Sequence, residues 1–541
     1  MSKKARTSTL VFVLLIELVV GAVIWFSNAP SADAQPPSSM ASPPAEMHSA
    51  QPDAKAPSPS DCPKKKSSST KKALVDDLLP IGILIVVITV VVMRLPKVEL
   101  GHSIAFRHRR LLNWLPLGLT YSFLYFGRYN MKQFQGIGLT ELEYGTVFGV
   151  GSAVYGVAFL LNGPLTDRWG GRATILISAA GSGAANALMG YMAMSGNTFG
   201  MSTVTAFSLG YALNMYFQSF GAVSIVKVNA AWFHVRERGT FGGIFGILIS
   251  LGLYFAYDVG KRITQIFEIE WLFFIPAIVL GIFFVLSYIF VRNQPSDTGH
   301  PDFDLGDATQ SGESLTVVQV FIKLITHPVI MVISIIELCS GFLRQAILQW
   351  GVDFGRGVGL GKTFVFENWG MVSCVAGITG GMFAGAISDH LFQSRRSPVS
   401  GVLYGIMVGG GIMIVVLFSL APAGIGWVVA FMSMAIIGVH GMLTATASAD
   451  FAGKKNTGMA VGIIDGFVYL GSTAQSFIYG AMLPAAKIRD EQGCLVPNPE
   501  AAKIENWTIW PYAMIPIALV GFVLTLKIWN AKPTRGGGGG H

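Results

Sequence analysis

Long apolar runs separated by short polar breaks repeat along most of the chain. From Leu111 onward we count twelve, at about 111–130, 144–163, 173–194, 199–226, 239–258, 269–291, 328–350, 366–388, 398–420, 423–447, 457–484 and 508–529. Each is near or above the roughly 20 residues that an α-helix needs to cross a bilayer. The polar stretch Asn293 to Glu313 falls after the sixth run and divides the set into six plus six. Two more apolar runs, Leu10 to Phe26 and Leu78 to Met93, precede the twelve. The pattern predicts an all-α membrane protein: two six-helix halves, twelve core spans, and one or two extra N-terminal hydrophobic helices.

The breaks give a layout. Residues 1–30 begin with Lys3, Lys4 and Arg6 and lead to Ala32-Asp33-Ala34, so they read as either a cleaved signal peptide or a retained anchor. Glu17 is unusual for both. Residues 31–72, rich in Pro, Ser and Lys, cannot bury a core and read as a disordered linker. An extra membrane helix is expected at 73–96, the N-terminal half at 107–293, a cytoplasmic central loop at 294–316 and the C-terminal half at 317–531. A flexible Gly-rich tail fills 532–541.

Composition agrees. Of 541 residues, 52% are hydrophobic and only 13% charged, and the mean hydropathy is +0.55. Soluble domains carry about 25% charged residues. The net charge of +8 does not point to nucleic acid, because the basic residues cluster in short loops. Arg168 to Arg172, Arg236 to Arg238, Arg395-Arg396 and Lys454-Lys455 each follow an even-numbered span and share one face. The positive-inside rule makes that face cytoplasmic, together with both ends of the twelve-helix core. Cys62, Cys339, Cys374 and Cys494 form no CxxC. The chain holds no GxxxxGK[ST], HExxH or nucleophile elbow, and no strand or helix frames the run Gly536 to Gly540. We therefore expect no enzyme, no cofactor and no metal.

Charges inside the spans are the candidate chemistry. An arginine in mid-membrane costs roughly 2.5–3.5 kcal/mol on insertion scales, so it is kept where it meets water, a partner or a ligand. Arg128 and Arg344 lie near one end of the first span of each half. In a repeat they would face each other across a central cavity, as two donor forks that match phosphate oxygens. Tyr121 and Tyr125 can share a helical face with Arg128. The alternative is that the arginines snorkel or pair with a carboxylate, with Glu337 as partner of Arg344. Glu337, Lys227, Asp258 and Asp465 are the other charges in the spans. Asp465 and Glu337 are candidates for carrying a proton, or for a structural pair. His440 reads as a packed polar residue rather than a metal ligand.

The two halves look related. Gly163-Pro-Leu-Thr-Asp167-Arg168 after span two matches Gly385-Ala-Ile-Ser-Asp389-His390 after span eight. The longer stretch Gly163 to Arg172 resembles the loop signature of the major facilitator superfamily. Its glycines permit a tight turn, and its Asp and Arg side chains can pair across the cytoplasmic end in one state and part in the other. Asp167, Arg168, Arg172, Asp389 and Arg238 are the gating candidates. Finer motifs resemble the organophosphate:phosphate antiporters, which include glycerol-phosphate and hexose-phosphate transporters. They are Tyr125-Phe-Gly-Arg128-Tyr-Asn130, Arg344-Gln-Ala-Ile-Leu-Gln349-Trp350, Glu237-Arg238-Gly239, Ala376-Gly-Ile-Thr-Gly380 and Tyr469-Leu-Gly471. The resemblance covers about residues 108 to 530. Phe159 stands where relatives often carry a lysine, and Gln349 where many have an acid.

The resemblance implies a secondary transporter working by alternating access. It would exchange a sugar phosphate or glycerol phosphate, inorganic phosphate, or both. Arg128, Arg344, Tyr125, Tyr121, Asn130, Gln349 and Trp350 would contact the substrate. A monomer in the lipid bilayer is expected, in a bacterial inner (plasma) membrane, with a eukaryotic internal membrane left open. Two alternatives stay open as well: a receptor that senses a phosphorylated ligand without transporting it, and a proton-coupled carrier of another organic anion.

Overall fold

A computed structural model describes residues 73–94, 100–135, 137–234, 237–303, 317–392, 396–443, 457–490 and 495–530. Expectations for residues 1–72, 304–316 and 531–541 lie outside the described residues.

The described chain is helical throughout its core. Span one is Ile104–Tyr129, span two Glu141–Trp169, span three Gly171–Ser195 and span four Thr203–Trp232. Span five runs in three pieces, Arg238–Tyr254, Phe255–Val259 and Gly260–Ile266, and span six is Trp271–Phe290. Span seven also runs in three pieces, Pro328–Gln345, Ala346–Trp350 and Gly351–Gly357. Spans eight to twelve are Trp369–Leu391, Arg396–Leu420, Ile425–His440, Thr457–Met482 and Ile509–Lys527. Among the described residues eight helices are long and apolar enough to cross a membrane by length and composition. Spans one, four, eight and eleven are not among these eight; span four carries Asn214, Gln218 and Lys227 along its length.

Local chemistry sets the helix starts. Thr140 opens span two with a capping box: its Oγ1 accepts from the Glu143 amide while the Glu143 carboxylate accepts from the Thr140 amide. Ser103 and Ser202 cap spans one and four in the same manner as acceptors. Gly170 turns the chain between spans two and three at φ 83°, a left-handed conformation that glycine adopts without a Cβ penalty.

Within each half the spans pack on one another, and two seams join the halves: span two on span eleven, and span five on span eight. Small residues line the first seam. A Cβ on Gly145 would come within 2.6 Å of the Ser476 carbonyl, and one on Gly156 within 3.2 Å of the Gly466 carbonyl. Close backbone approach of this kind drives helix association in lipid, where burial of apolar surface adds little. Spans seven and eleven meet equally closely at Gly341 and Gly471, each Cβ position being filled by a carbonyl of the other helix.

Three elements, a hairpin and two π turns, were not expected from the sequence. A short hairpin, Lys487–Arg489 against Leu495–Pro497, joins spans eleven and twelve. Spans five and seven each widen into a π turn, at Phe255–Val259 and Ala346–Trp350. A π turn frees carbonyls from the helical ladder. Here the Ala346 carbonyl accepts from Trp510 Nε1, and the Leu348 carbonyl accepts from both Trp369 Nε1 and Tyr257 Oη.

The region expected as an extra span is a helix, Ala73–Arg94. It buries Ile81, Leu84, Ile88 and Val91, a stripe at three- and four-residue spacing, and packs on span eight. Its apolar part, Leu79–Met93, belongs to the 10–17-residue class, shorter than the roughly 20 needed to cross a bilayer.

Candidate functional site

Arg128 is fully buried at the end of span one. Its Nε donates to Gln218 Oε1 on span four at 2.8 Å, and its Nη1 donates to Tyr469 Oη on span eleven at 2.7 Å. The guanidinium lies over the rings of Tyr125 and Tyr155, 4.6 and 4.4 Å from their centroids. This cation–π sandwich replaces part of the lost hydration. Nη2 has no hydrogen-bond partner. Of the five N–H donors on a guanidinium, two are used.

A polar scaffold inside the N-terminal half fixes that geometry. Gln218 Nε2 donates to Asn214 Oδ1 at 3.0 Å and to Ser182 Oγ at 3.3 Å. Asn214 Nδ2 donates to the Gly127 carbonyl, and Tyr211 Oη to the Arg128 carbonyl. Asn186 Nδ2 donates to Asn214 Oδ1. Buried amides tied together in this way cannot swing without breaking several bonds at once.

Arg344 sits at the matching place in span seven, just before the π turn, and is 9% exposed. Its Nε is buried without a partner, and no hydrogen bond or ion pair reaches its guanidinium among the described residues. Tyr125, Tyr129 and Tyr469 lie within electrostatic reach of both arginines. The two guanidiniums, one from each half, thus have the same three tyrosines as neighbours. Gln345 Nε2 donates across the halves to Tyr129 Oη at 3.1 Å.

The other expected substrate residues divide. Tyr125 is in the site, and Tyr121 stacks edge-on against it at 5.3 Å. Gln349 is one step out, donating to Gln345 Oε1. Trp350 is buried rather than at a membrane interface. It packs on Tyr144 and Tyr479, and Lys132 Nζ lies 5.2 Å from its ring centroid. Asn130 donates to Asn186 Oδ1 and the Leu272 carbonyl, which ties it to the scaffold of its own half. Phe159 packs on Tyr155 and Tyr469, which puts an aromatic ring beside the pair. Tyr155, Gln218 and Tyr469 were not predicted as site residues. Tyr155 lies one helical turn before Phe159, a position already marked, and Tyr469 stood in a quoted motif without a role.

Beyond the arginines, the halves are pinned together at the end opposite the basic loops. Lys132 Nζ and Asp353 Oδ2 form a buried ion pair at 2.6 Å, which Gln135 Nε2 joins at 3.0 Å. Asp258, in the π turn of span five, accepts from the amides of Gly370 and Met371 at the start of span eight, both at 2.8 Å. Arg489 in the hairpin pairs with Glu143 at 3.0 Å, and Arg356 Nη2 donates to Gln133 Oε1 at 3.4 Å.

Two of the gating candidates at the basic-loop end, Asp167 and Arg172, bind within their own half. Asp167, exposed, pairs with Lys227 at 2.6 Å rather than with an arginine. Arg172 donates to the Tyr288 carbonyl and covers the Tyr288 ring. Arg168 is exposed. The side chains of Arg238 and Asp389 lie outside the described residues. Glu337 pairs with His440, 3.0 Å from Nδ1, and not with Arg344. Asp465 is half-buried on span eleven. Among the described residues no three His, Cys, Asp or Glu side chains gather as a metal site.

Residues 117–475 match the Major Facilitator Superfamily profile. The chain is 27% identical over 390 residues to the glycerol-3-phosphate transporter of Bacillus subtilis (strain 168), covering 68% of this chain and 85% of that one. It is 25% identical over 424 residues to the membrane sensor protein UhpC of Salmonella typhimurium, covering 73% and 85%. Its fold matches a bacterial homologue of the human lysosomal transporter Spinster, solved inward-facing and unoccupied, with a TM-score of 0.57 at 12% identity, covering 80% of this chain and 99% of that one.

Proposed function

The chain belongs to the Major Facilitator Superfamily, as a multi-pass integral membrane protein of its organophosphate:phosphate antiporter branch, and from that premise we propose that it exchanges a phosphorylated small metabolite for inorganic phosphate by alternating access. The observation that carries this reading is the pair of buried arginines, one from each half, with donors left open beside the same three tyrosines. Two like charges in low dielectric repel, and a phosphate bound between the two guanidiniums offsets that repulsion. The anion therefore helps the halves close around it. An empty site lacks this help, which favours exchange over net flux.

The ion pairs opposite the basic loops support a state closed on that side. With the basic loops cytoplasmic, it is the inward-facing state, and both ends of the core lie in the cytoplasm. A glycerol phosphate or sugar phosphate is the cargo class, Tyr125, Tyr155 and Tyr469 giving its carbon skeleton an aromatic wall. We place the protein as a monomer in the lipid of a bacterial inner membrane.

Proteoliposomes loaded with inorganic phosphate test this. We expect labelled phosphate, glycerol phosphate or hexose phosphate outside to enter only when phosphate is inside. Saturable binding without any uptake would instead make the chain a sensor, the function named for the UhpC relative.

A further inference from the structure

Three of the acids inside the bundle, Asp353 and Glu337 buried and Asp258 half-buried, have answers of different quality. Asp353 has Lys132 and Gln135. Asp258 has two backbone amides. Glu337, fully buried in span seven, has only the imidazole of His440 on one oxygen, while Oε1 has no hydrogen-bond partner. Two turns further along span seven stands Arg344, within electrostatic reach of the same carboxylate. Span seven is thus the one helix that places an incompletely answered acid and an unpaired arginine in the same interior, among the described residues.

Charge arithmetic gives the pair a use. With Glu337 ionised and His440 neutral, the two arginines and the carboxylate together carry one positive charge. A proton on Glu337 raises that to two, which balances a phosphate or phosphomonoester dianion. Resting on the exchange reading above, we propose that Glu337 and His440 form a proton-binding site that loads together with the anion. The step is simple in atoms: hydronium at the part-exposed ring gives a proton to His440 Nε2 and leaves as water, and the Nδ1 proton crosses the 3.0 Å hydrogen bond to Glu337 Oε2, so the imidazole ends neutral and the carboxyl protonated. Release to the other side returns the proton when the anion leaves. His440 is part-exposed at the basic-loop end of span ten, so the proton has a side chain through which to enter or depart from that side.

Neighbouring groups define the controls. Tyr404 on span nine is in reach of Glu337 and donates its hydroxyl to the Ile336 carbonyl. Cys339 lies on span seven itself. Span eleven, packed along span seven, carries Asp465. Span twelve ends in Lys527, and the helix Val317–Ile325 carries Lys323.

The test is phosphate exchange in proteoliposomes with an imposed pH gradient, acid outside. Phosphate itself titrates, so the readout is the difference between wild type and Glu337→Gln, whose amide imitates the protonated acid, at each gradient. We expect wild-type uptake to rise several-fold with the gradient beyond the rise in Glu337→Gln, which still exchanges. Asp465→Asn should respond like wild type, and His440→Gln should shift the pH profile of the response. A Glu337→Gln protein that responds as strongly as wild type overturns the inference. A wild type that exchanges phosphate but ignores the gradient overturns it alone, whereas a wild type that exchanges no phosphate overturns the transport reading as well.

Discussion

At the scale of the residue, Arg128 shows how a permanent charge is kept in an apolar bundle while staying available. Two aromatic faces and two neutral acceptors hold it, and among the described residues no carboxylate is hydrogen-bonded to it, which on the proposed reading keeps its charge for the anion. Gln218 is the holding residue. A hydrogen bond to a charged group contributes about 1.5–3 kcal/mol. Gln218→Leu should therefore weaken phosphate binding at least tenfold, measured by calorimetric titration of purified protein, while leaving the helical content unchanged. The arginines were visible in the sequence because a charge in an apolar run has few explanations. Tyr155 and Gln218 were not, because their residue types are ordinary there and their role comes from neighbours on other spans. Asn130, two residues beyond Arg128, lies about 200° around the helix and is tied to its own half through Asn186 and the Leu272 carbonyl.

At the scale of the element, the informative features are where helices are irregular or thin. The π turn after Arg344 gives span seven a local change of pitch, and three side chains from spans five, eight and twelve hold its loosened carbonyls. The seam between spans two and eleven is smooth because glycines meet there. Gly145→Leu should jam that seam: we expect phosphate binding to survive and turnover to fall at least tenfold, read as exchange rate against affinity. Lys132 and Asp353 lock the end opposite the basic loops. Removing one partner of a buried pair leaves a bare charge, at a cost of about 3–5 kcal/mol. Lys132→Met should lower the melting temperature and expose cysteines placed at that end to membrane-impermeant labels, and adding Asp353→Leu should recover much of the stability but not the closure. Helix positions were legible from the apolar runs. The π turns and the hairpin were not, since neither interrupts hydrophobicity in a way distinct from a regular helix or loop.

At the scale of the whole molecule, two six-helix bundles meet along two seams and contribute one arginine each beside the same three tyrosines. The six-plus-six division and the common face of the basic loops could be read directly, because membrane thickness and loop charge write themselves into a sequence. Which halves of the polar set would meet could not, since that depends on packing across the seams. The central claim is that both arginines together bind the phosphate group. Counterflow of labelled phosphate into phosphate-loaded proteoliposomes tests it most directly, with wild type beside Arg128→Ala, Arg344→Ala and the two lysine variants. The account predicts that each alanine variant loses exchange to background. It predicts that the lysine variants, which keep the charge but lose the fork, retain at most a few per cent of it. Exchange at the wild-type rate in either alanine variant would contradict it.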